Sequence, residues 1–380
     1  MKYLSILKNK KLSKETCLLR IDLNIEDVNL NNLKKHPQNI PFRIKTILPT
    51  IKFLTDKGAK VLILSHRGRP APLRQGISKQ FSLKPFARIF TKLLKKRVDF
   101  LSIDLKKAKE VTKNSKPGSI FLLENLRFFD GEEKNDLTFA KKLAGLGTFY
   151  VNDAFAVSHR KNASVEAITK YLLSYAGFQL EKEAENLELA MKRPKKPFVI
   201  IMGGAKISDK LGLINNLIKK ANYFLIGGGI ANTFLAALGM PIGDSLYEKN
   251  MIPEARKILK EASRKIFLPI DFVVDKEKIL DIGPKTIRLY AKKIQPAKTI
   301  VWNGPMGKSE DKKFAKGTQG IAKATLQNKK AKIIIGGGET IASLKTKSSK
   351  LKANIFLSTG GGAMLEYLSG KNLPGIEALK

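Results

Sequence analysis

Short apolar, β-branched runs alternate with longer amphipathic stretches along the whole chain. In the first half the runs are Cys17–Ile25, Val61–Leu64, Ile120–Leu123 and Phe149–Val151. In the second half they are Phe198–Met202, Tyr223–Ile226, Phe272–Val274, Thr299–Trp302, Ile333–Ile335 and Ile355–Leu357. Strand-like runs separated by helix-length segments predict βαβ units and an α/β chain with mainly parallel sheets. Between the two sets lies Leu180–Lys192, charged and amphipathic with no internal glycine or proline, which predicts a helix joining two domains. Arg193-Pro194-Lys195-Lys196-Pro197 ends it, because proline cannot continue a helix. The 380 residues exceed the roughly 250–300 at which single cores stop growing. The expected division is 1–175, a joining helix and hinge at 176–193, a second domain at 194–363 and a final segment at 364–380.

Composition narrows the class. A hydrophobic content of 43% can fill two cores. The longest apolar runs fall far short of the ~18 residues a bilayer span requires, and the N-terminal lysines are not followed by the apolar region of a signal peptide. The one cysteine, Cys17, cannot form an internal disulfide, so a reducing compartment is expected, by default the cytoplasm. Three histidines and one cysteine count against a zinc site. The net charge of +38 comes from lysines spread along the chain without a nucleic-acid motif. Solvated lysines on helix faces, with some steering of anionic substrates, account for it; neither a specific nucleic acid nor a membrane is expected as a partner.

In open parallel sheets ligands bind beyond the carboxyl ends of the strands, and there the two halves differ. The first half places cations and small polar groups: Arg20-Ile-Asp22-Leu-Asn24, Ser65-His66-Arg67-Gly68-Arg69-Pro70, Glu124-Asn125-Leu126-Arg127, and Asn152-Asp153 leading to Ser158-His159-Arg160. Guanidinium groups converging from several strands suit a carboxylate or a phosphate, which they grip bidentately. His66 reads as a phosphate contact or a satisfied structural histidine before it reads as a general base. The second half places glycines: Gly203-Gly204, Gly227-Gly228-Gly229, Gly304, Gly336-Gly337-Gly338 and Gly360-Gly361-Gly362. Glycines let backbone amides approach a phosphate at a helix start, which suits a nucleotide. Lys206 and Lys210, four apart, are expected to face one side at the start of the helix after Gly203-Gly204. The Walker motif, the protein-kinase H-R-D and D-F-G signatures and the G-x-G-x-x-G fingerprint are all absent.

In their order from Leu19 to Glu377, these segments resemble the phosphoglycerate kinase family. The matching motifs are R-I-D-L-N at Arg20–Asn24, S-H-R-G-R-P at Ser65–Pro70, L-L-E-N-L-R-F at Leu122–Phe128, N-D-A-F at Asn152–Phe155, G-G-A-K-I-S-D-K at Gly203–Lys210, W-N-G-P at Trp302–Pro305 and S-T-G-G-G-A at Ser358–Ala363. The resemblance implies two Rossmann-like domains joined by a helical hinge that must close for transfer. It also implies a monomer that moves the acyl phosphate of 1,3-bisphosphoglycerate to Mg-ADP, giving 3-phosphoglycerate and ATP. By the same resemblance Asp22, Asn24, Arg43, His66, Arg67, Gly68, Arg69, Arg127 and Arg160 bind the glycerate substrate. Lys206, Lys210, Glu310, Gly337, Gly338, Glu339 and Thr340 bind nucleotide, with Glu339 on the magnesium ion. Arg43, Lys206 and the amides around Gly361 and Gly362 surround the phosphoryl group in flight, and the final segment returns to the first domain. Departures from the family pattern are Glu339 where an aspartate is usual, Arg67 at a usually apolar position, and Met306–Glu310 in place of a more apolar segment. The charge and Glu339 motivate an alternative, a weakened homologue acting as a basic nucleic-acid-binding or scaffold protein.

Dispersed charge without a recognition motif predicts non-specific binding to polyanions. Affinity for arbitrary RNA or DNA should fall steeply with added salt and show no sequence preference. Preference for one sequence by ~10³-fold or more at physiological salt would support the alternative instead.

Overall fold

The computed structural model describes residues 1–25, 40–70, 79–344 and 351–380. They form two compact units, Met1–Glu183 with Asn372–Lys380, and Ala184–Lys371. The helix Phe178–Lys192 crosses the division. In the first unit six parallel strands, β1 (Thr16–Arg20), β2 (Lys60–Leu64), β3 (Val98–Leu101), β4 (Ile120–Leu123), β5 (Phe149–Asn152) and β6 (Leu173–Ala176), lie in the order β3-β4-β2-β1-β5-β6. In the second, β7 (Phe198–Met202), β8 (Tyr223–Ile226), β9 (Ile266–Phe267), β12 (Thr299–Asn303), β13 (Lys332–Gly336) and β14 (Ile355–Ser358) form another parallel sheet, β14-β13-β12-β7-β8-β9. Strands β10 (Phe272–Asp275) and β11 (Lys278–Ile282) form a separate two-stranded antiparallel sheet, and Lys278 also bridges to Gly243.

The central strands are buried on both faces, which is why they read as continuous apolar runs: every residue of β1, β7 and β12 is buried. The flanking helices bury one stripe. Phe86, Ala87, Ile89, Phe90 and Leu94 of helix Lys84–Leu94 join the core around Leu19, Ile63 and Val151. Asp104 and Asp136 start the next helices by accepting the amides of Lys107 and Phe139 at 3.0 and 2.6 Å. The C-terminal residues belong to the first unit, where Gly375 N–H donates to the Ser158 carbonyl at 2.8 Å.

Sequence periodicity misplaced one element and passed over four. Phe272–Val274, one of the runs that predict mainly parallel sheets, is a strand but forms an antiparallel hairpin arm. Its turn residues Lys276 and Glu277 both adopt positive φ, 46° and 61°, as a tight two-residue hairpin turn requires. The usual Asn-Gly or Asp-Gly signal is missing, so the turn is silent in the sequence. β3, β6, the two-residue β9 and β11 escaped because edge and hairpin strands are short or half exposed.

Each sheet reverses direction of growth beside its first strand, between β1 and β5 and between β7 and β12. Such reversals open a crevice at the carboxyl ends. At β7/β12 the chains are almost in contact: a Cβ on Gly203 would lie 1.8 Å from the Pro305 carbonyl oxygen, and one on Gly304 2.1 Å from that of Gly203. The amides of Gly203 and Gly204 donate across the gap to the carbonyls of Asn303 and Pro305 at 3.1 and 2.9 Å. Gly203→Ala should therefore push the two turns apart and destabilise the protein by about 3 kcal/mol or more. Urea unfolding checks this, and a loss under about 0.5 kcal/mol would show that the turns give way freely.

Candidate active site

The first unit gathers its cations around His66. This ring, 2% exposed, follows β2. Arg20, at the end of β1 and 1% exposed, places Nη2 at 3.1 Å from His66 Nδ1. A guanidinium only donates, so Nδ1 accepts and the ring proton sits on Nε2. Arg20 is itself fixed: Nε donates to Ser164 Oγ at 2.8 Å, Nη1 donates to the Ile21 carbonyl, and Glu132 lies 4.0 Å away. Glu132 is fully buried and accepts the Ser164 hydroxyl and amide at 2.6 and 3.0 Å. Burial raises its pKa, opposed first by Arg20 and then by the Ser164 hydrogen bonds.

Arg43 joins from helix Phe42–Asp56. Its Nη1 pairs with the Asp22 carboxylate at 2.8 Å and donates to the Asn24 carbonyl at 2.9 Å. Asn24 Oδ1 accepts the Gly68 amide at 2.8 Å, tying the end of β1 to the loop after β2. Asn125 shapes that loop by donating to the carbonyls of Arg67 and Phe81, at 2.7 and 3.0 Å, and accepting the amides of Arg67 and Arg127. Arg127, 8% exposed, reaches the Gly68 carbonyl and pairs with Glu133 at 3.0 Å. Arg160 Nε lies 3.3 Å from His159 Nε2.

The pKa of His66 lies well below its ordinary value, first through burial and then through Arg20, Arg127, Arg160 and Arg43, in that order. Four guanidinium groups thus act on one imidazole, which makes this a place for an anion. Two predicted members are not among the groups that act on His66, although Arg69 acts on Arg127. Arg67 holds its guanidinium 5.8 Å from the centre of the Phe86 ring, a cation–π contact that engages it with the helix Lys84–Leu94. Arg69 is exposed. Arg20 and Asn125, which the sequence places at strand ends, support the set, and so do Glu132 and Ser164, which it did not single out.

The second unit presents backbone where the first presents cations. Gly204, Gly337 and Gly361 have positive φ, 96°, 96° and 51°, which glycine alone adopts without strain. Gly338 and Gly362 open the helices Gly338–Ser343 and Gly362–Leu368, and a Cβ on either would meet no atom within 4 Å. Packing does not demand glycine at these two positions. They leave space in front of helix-start amides.

Lys206 and Lys210 do not face one side of a helix, as their spacing suggested. The helix begins at Leu211, after a run of turns, and Lys206 is exposed while Lys210 is buried. Lys210 Nζ donates to Asn303 Oδ1 at the end of β12, and burial pushes its pKa down to about 8, opposed by Asp209. Asn303 was not singled out; only the tertiary pairing reveals it. The hydroxyl of Thr340 accepts the Gly304 amide at 2.9 Å and braces the β12 turn. Glu310 and Glu339 are exposed. Among the described residues no three His, Cys, Asp or Glu side chains converge on a metal site. A magnesium ion that arrives with nucleotide phosphates needs only one or two carboxylates, and Glu339, beside Gly337 and Gly338 and in no ion pair among the described residues, fits that requirement.

Comparisons with known proteins agree with this geometry. The sequence profile described as Phosphoglycerate kinase matches residues 7–371. The phosphoglycerate kinase of Dictyoglomus turgidum is 42% identical, with 98% of each chain covered. Among solved structures, the phosphoglycerate kinase from Coxiella burnetii superposes with a TM-score of 0.81 at 37% identity, covering 98% of this chain and 97% of that one. The one from Pyrococcus horikoshii OT3 superposes with a TM-score of 0.85 at 31% identity, covering 100% and 98%.

Because His66 is buried and, in addition, faced by guanidinium groups, its imidazole should stay neutral as pH falls through 6.5, where ordinary histidines protonate. With three histidines in the chain, ¹⁵N spectra resolve it, and His66→Gln assigns the signal. A protonated His66 at pH 6.5 in the free protein would mean that the arginines do not converge.

Proposed function

The chain belongs to the phosphoglycerate kinase family, and from that premise we propose that it reversibly transfers the acyl phosphate of 1,3-bisphosphoglycerate to ADP, giving 3-phosphoglycerate and ATP. The observation that carries this is buried His66 with Arg20 3.1 Å from its ring, and Arg127, Arg160 and Arg43 near enough to add to burial in lowering its pKa. The glycine-lined strand ends of the second unit complement it. On this reading the glycerate lies on the first unit, gripped by Arg43, Arg127 and Arg160, with His66 donating its Nε2 proton. Asp22 and Asn24 position Arg43 and the Gly68 loop. The nucleotide lies on the second, its phosphates against Lys206, Lys210 and the amides at Gly337, Gly338, Gly361 and Gly362.

A terminal oxygen of ADP attacks the acyl phosphorus, and the bond to the carboxyl oxygen breaks. The departing carboxylate is stable without a proton, so no general acid is required. Positioning and neutralisation carry the catalysis. Arg43 and Lys206 offset the charge of the phosphoryl group, and the helix-start amides hold its oxygens. Magnesium, held by Glu339 and the nucleotide phosphates, would supply further charge neutralisation. The two ligands belong to different units, so transfer requires that they be brought into line. A monomer acting in the cytoplasm is the simplest setting, because one chain supplies both ligand faces and, among the described residues, no helix is long and apolar enough to cross a membrane.

Purified protein should phosphorylate 3-phosphoglycerate from Mg-ATP in a coupled assay, and chelation should stop it. Arg160→Ala should chiefly raise the KM for 3-phosphoglycerate, since it removes binding that is equal in ground and transition states. Lys206→Ala should lower kcat by roughly 10²–10³. Turnover equal to that of an Arg43→Ala, Lys206→Ala double variant would refute the activity. A Lys206→Ala enzyme with normal kcat would reassign that lysine to nucleotide anchoring.

A further inference from the structure

We propose that the second unit carries an additional anion site, at the strand-starting edge of its sheet, that takes a short polyphosphate. A cavity of about 750 Å³ opens there, within the size range of small-ligand sites. Six of the ten residues lining it are cationic, Lys192, Arg193, Lys195, Lys298, Lys330 and Lys332, against 71 of 380 in the whole chain. The general lysine bias therefore does not explain it.

The compensation is incomplete. Two carboxylates, Glu185 and Glu188, share the wall, and Glu188 is already paired with Lys192. The other five cations make no ion pair among the described residues. They come from three separate segments, before β7, before β12 and at the start of β13. Lys332 is half-buried, and burial lowers its pKa, so it has lost solvation without gaining a counter-charge. A ligand with several phosphates in a row meets all three segments at once, whereas a single anion meets one or two. Lysines serve such a ligand as point charges.

The cavity is separate from the nucleotide face. Lys298 precedes Thr299, the first residue of β12, and the glycine turn follows Asn303 at its other end. Four strand steps of roughly 3.3 Å put about 13 Å of sheet between the two.

The test is calorimetric titration with inorganic triphosphate, with 3-phosphoglycerate, ADP and magnesium in excess so that the catalytic ends are filled. One site should remain in the natural sequence. Lys298→Ala with Lys332→Ala should weaken it at least tenfold, while Lys141→Ala with Lys142→Ala, exposed on the helix Leu137–Ala144 and equal in charge change, should leave it intact. Turnover without triphosphate should be unchanged in both. Lys298→Glu serves as a second variant should the Lys332 change disturb folding. A parallel titration with a non-hydrolysable ATP analogue identifies the source. Binding of both ligands points to a shared triphosphate group; binding of inorganic triphosphate alone points to a site closed to nucleosides. No residual site, or equal weakening by the two lysine pairs, would overturn the proposal.

Discussion

The ligand face of the first unit depends on holding like charges close together without letting the fold discharge them. Arg20 shows how this is done. It is buried at the end of a central strand, where a lone guanidinium would be prohibitively desolvated, and it is kept there by Glu132, Ser164 and the Ile21 carbonyl. Because its charge is balanced from behind, it can face His66 and set the ring's proton on the opposite nitrogen. Arg43 pairs with the carboxylate of Asp22 and Arg127 with that of Glu133. These pairings hold the arginines in place and leave a field that adds to burial in keeping the imidazole uncharged.

The second unit solves a different problem by different means. On the proposed function phosphates there meet backbone, and the constraint is distance: at the β7/β12 crevice carbonyls and amides of neighbouring turns approach until no side chain fits at Gly203 or Gly304. One buried cation, Lys210, rests on a neutral amide, Asn303, instead of a carboxylate. An incoming phosphate therefore finds the ammonium hydrogen-bonded yet not neutralised. On the proposed function the first unit recognises by charge and the second by shape, and phosphoryl transfer uses both.

The central strands were legible because burial on both faces leaves an unbroken apolar run, as in Phe198–Met202 and Ile333–Ile335. Strand-end arginines and glycines were legible because a parallel sheet fixes where its strand ends lie. What escaped depends on contacts between distant residues. Arg20 and Ser164 are 144 positions apart and Lys210 and Asn303 are 93 apart, and nothing local in either segment announces the pairing. The burial of Lys210 beside an exposed Lys206 depends on the helix beginning one residue after Lys210, which spacing alone does not reveal. Arg67 sits within the right motif, yet its guanidinium is turned onto Phe86.

At Gly338 and Gly362 neither packing nor backbone conformation requires glycine. At such helix-start positions alanine would cost the fold nothing, and by restricting the unfolded chain it would add about 0.4–1 kcal/mol of stability. Selection on foldedness alone would therefore favour losing them. Their presence is what the proposed use requires: in a lineage where the reaction no longer mattered, these two positions would be free to drift to alanine, while the protein remained stable and kept the fold of a working enzyme.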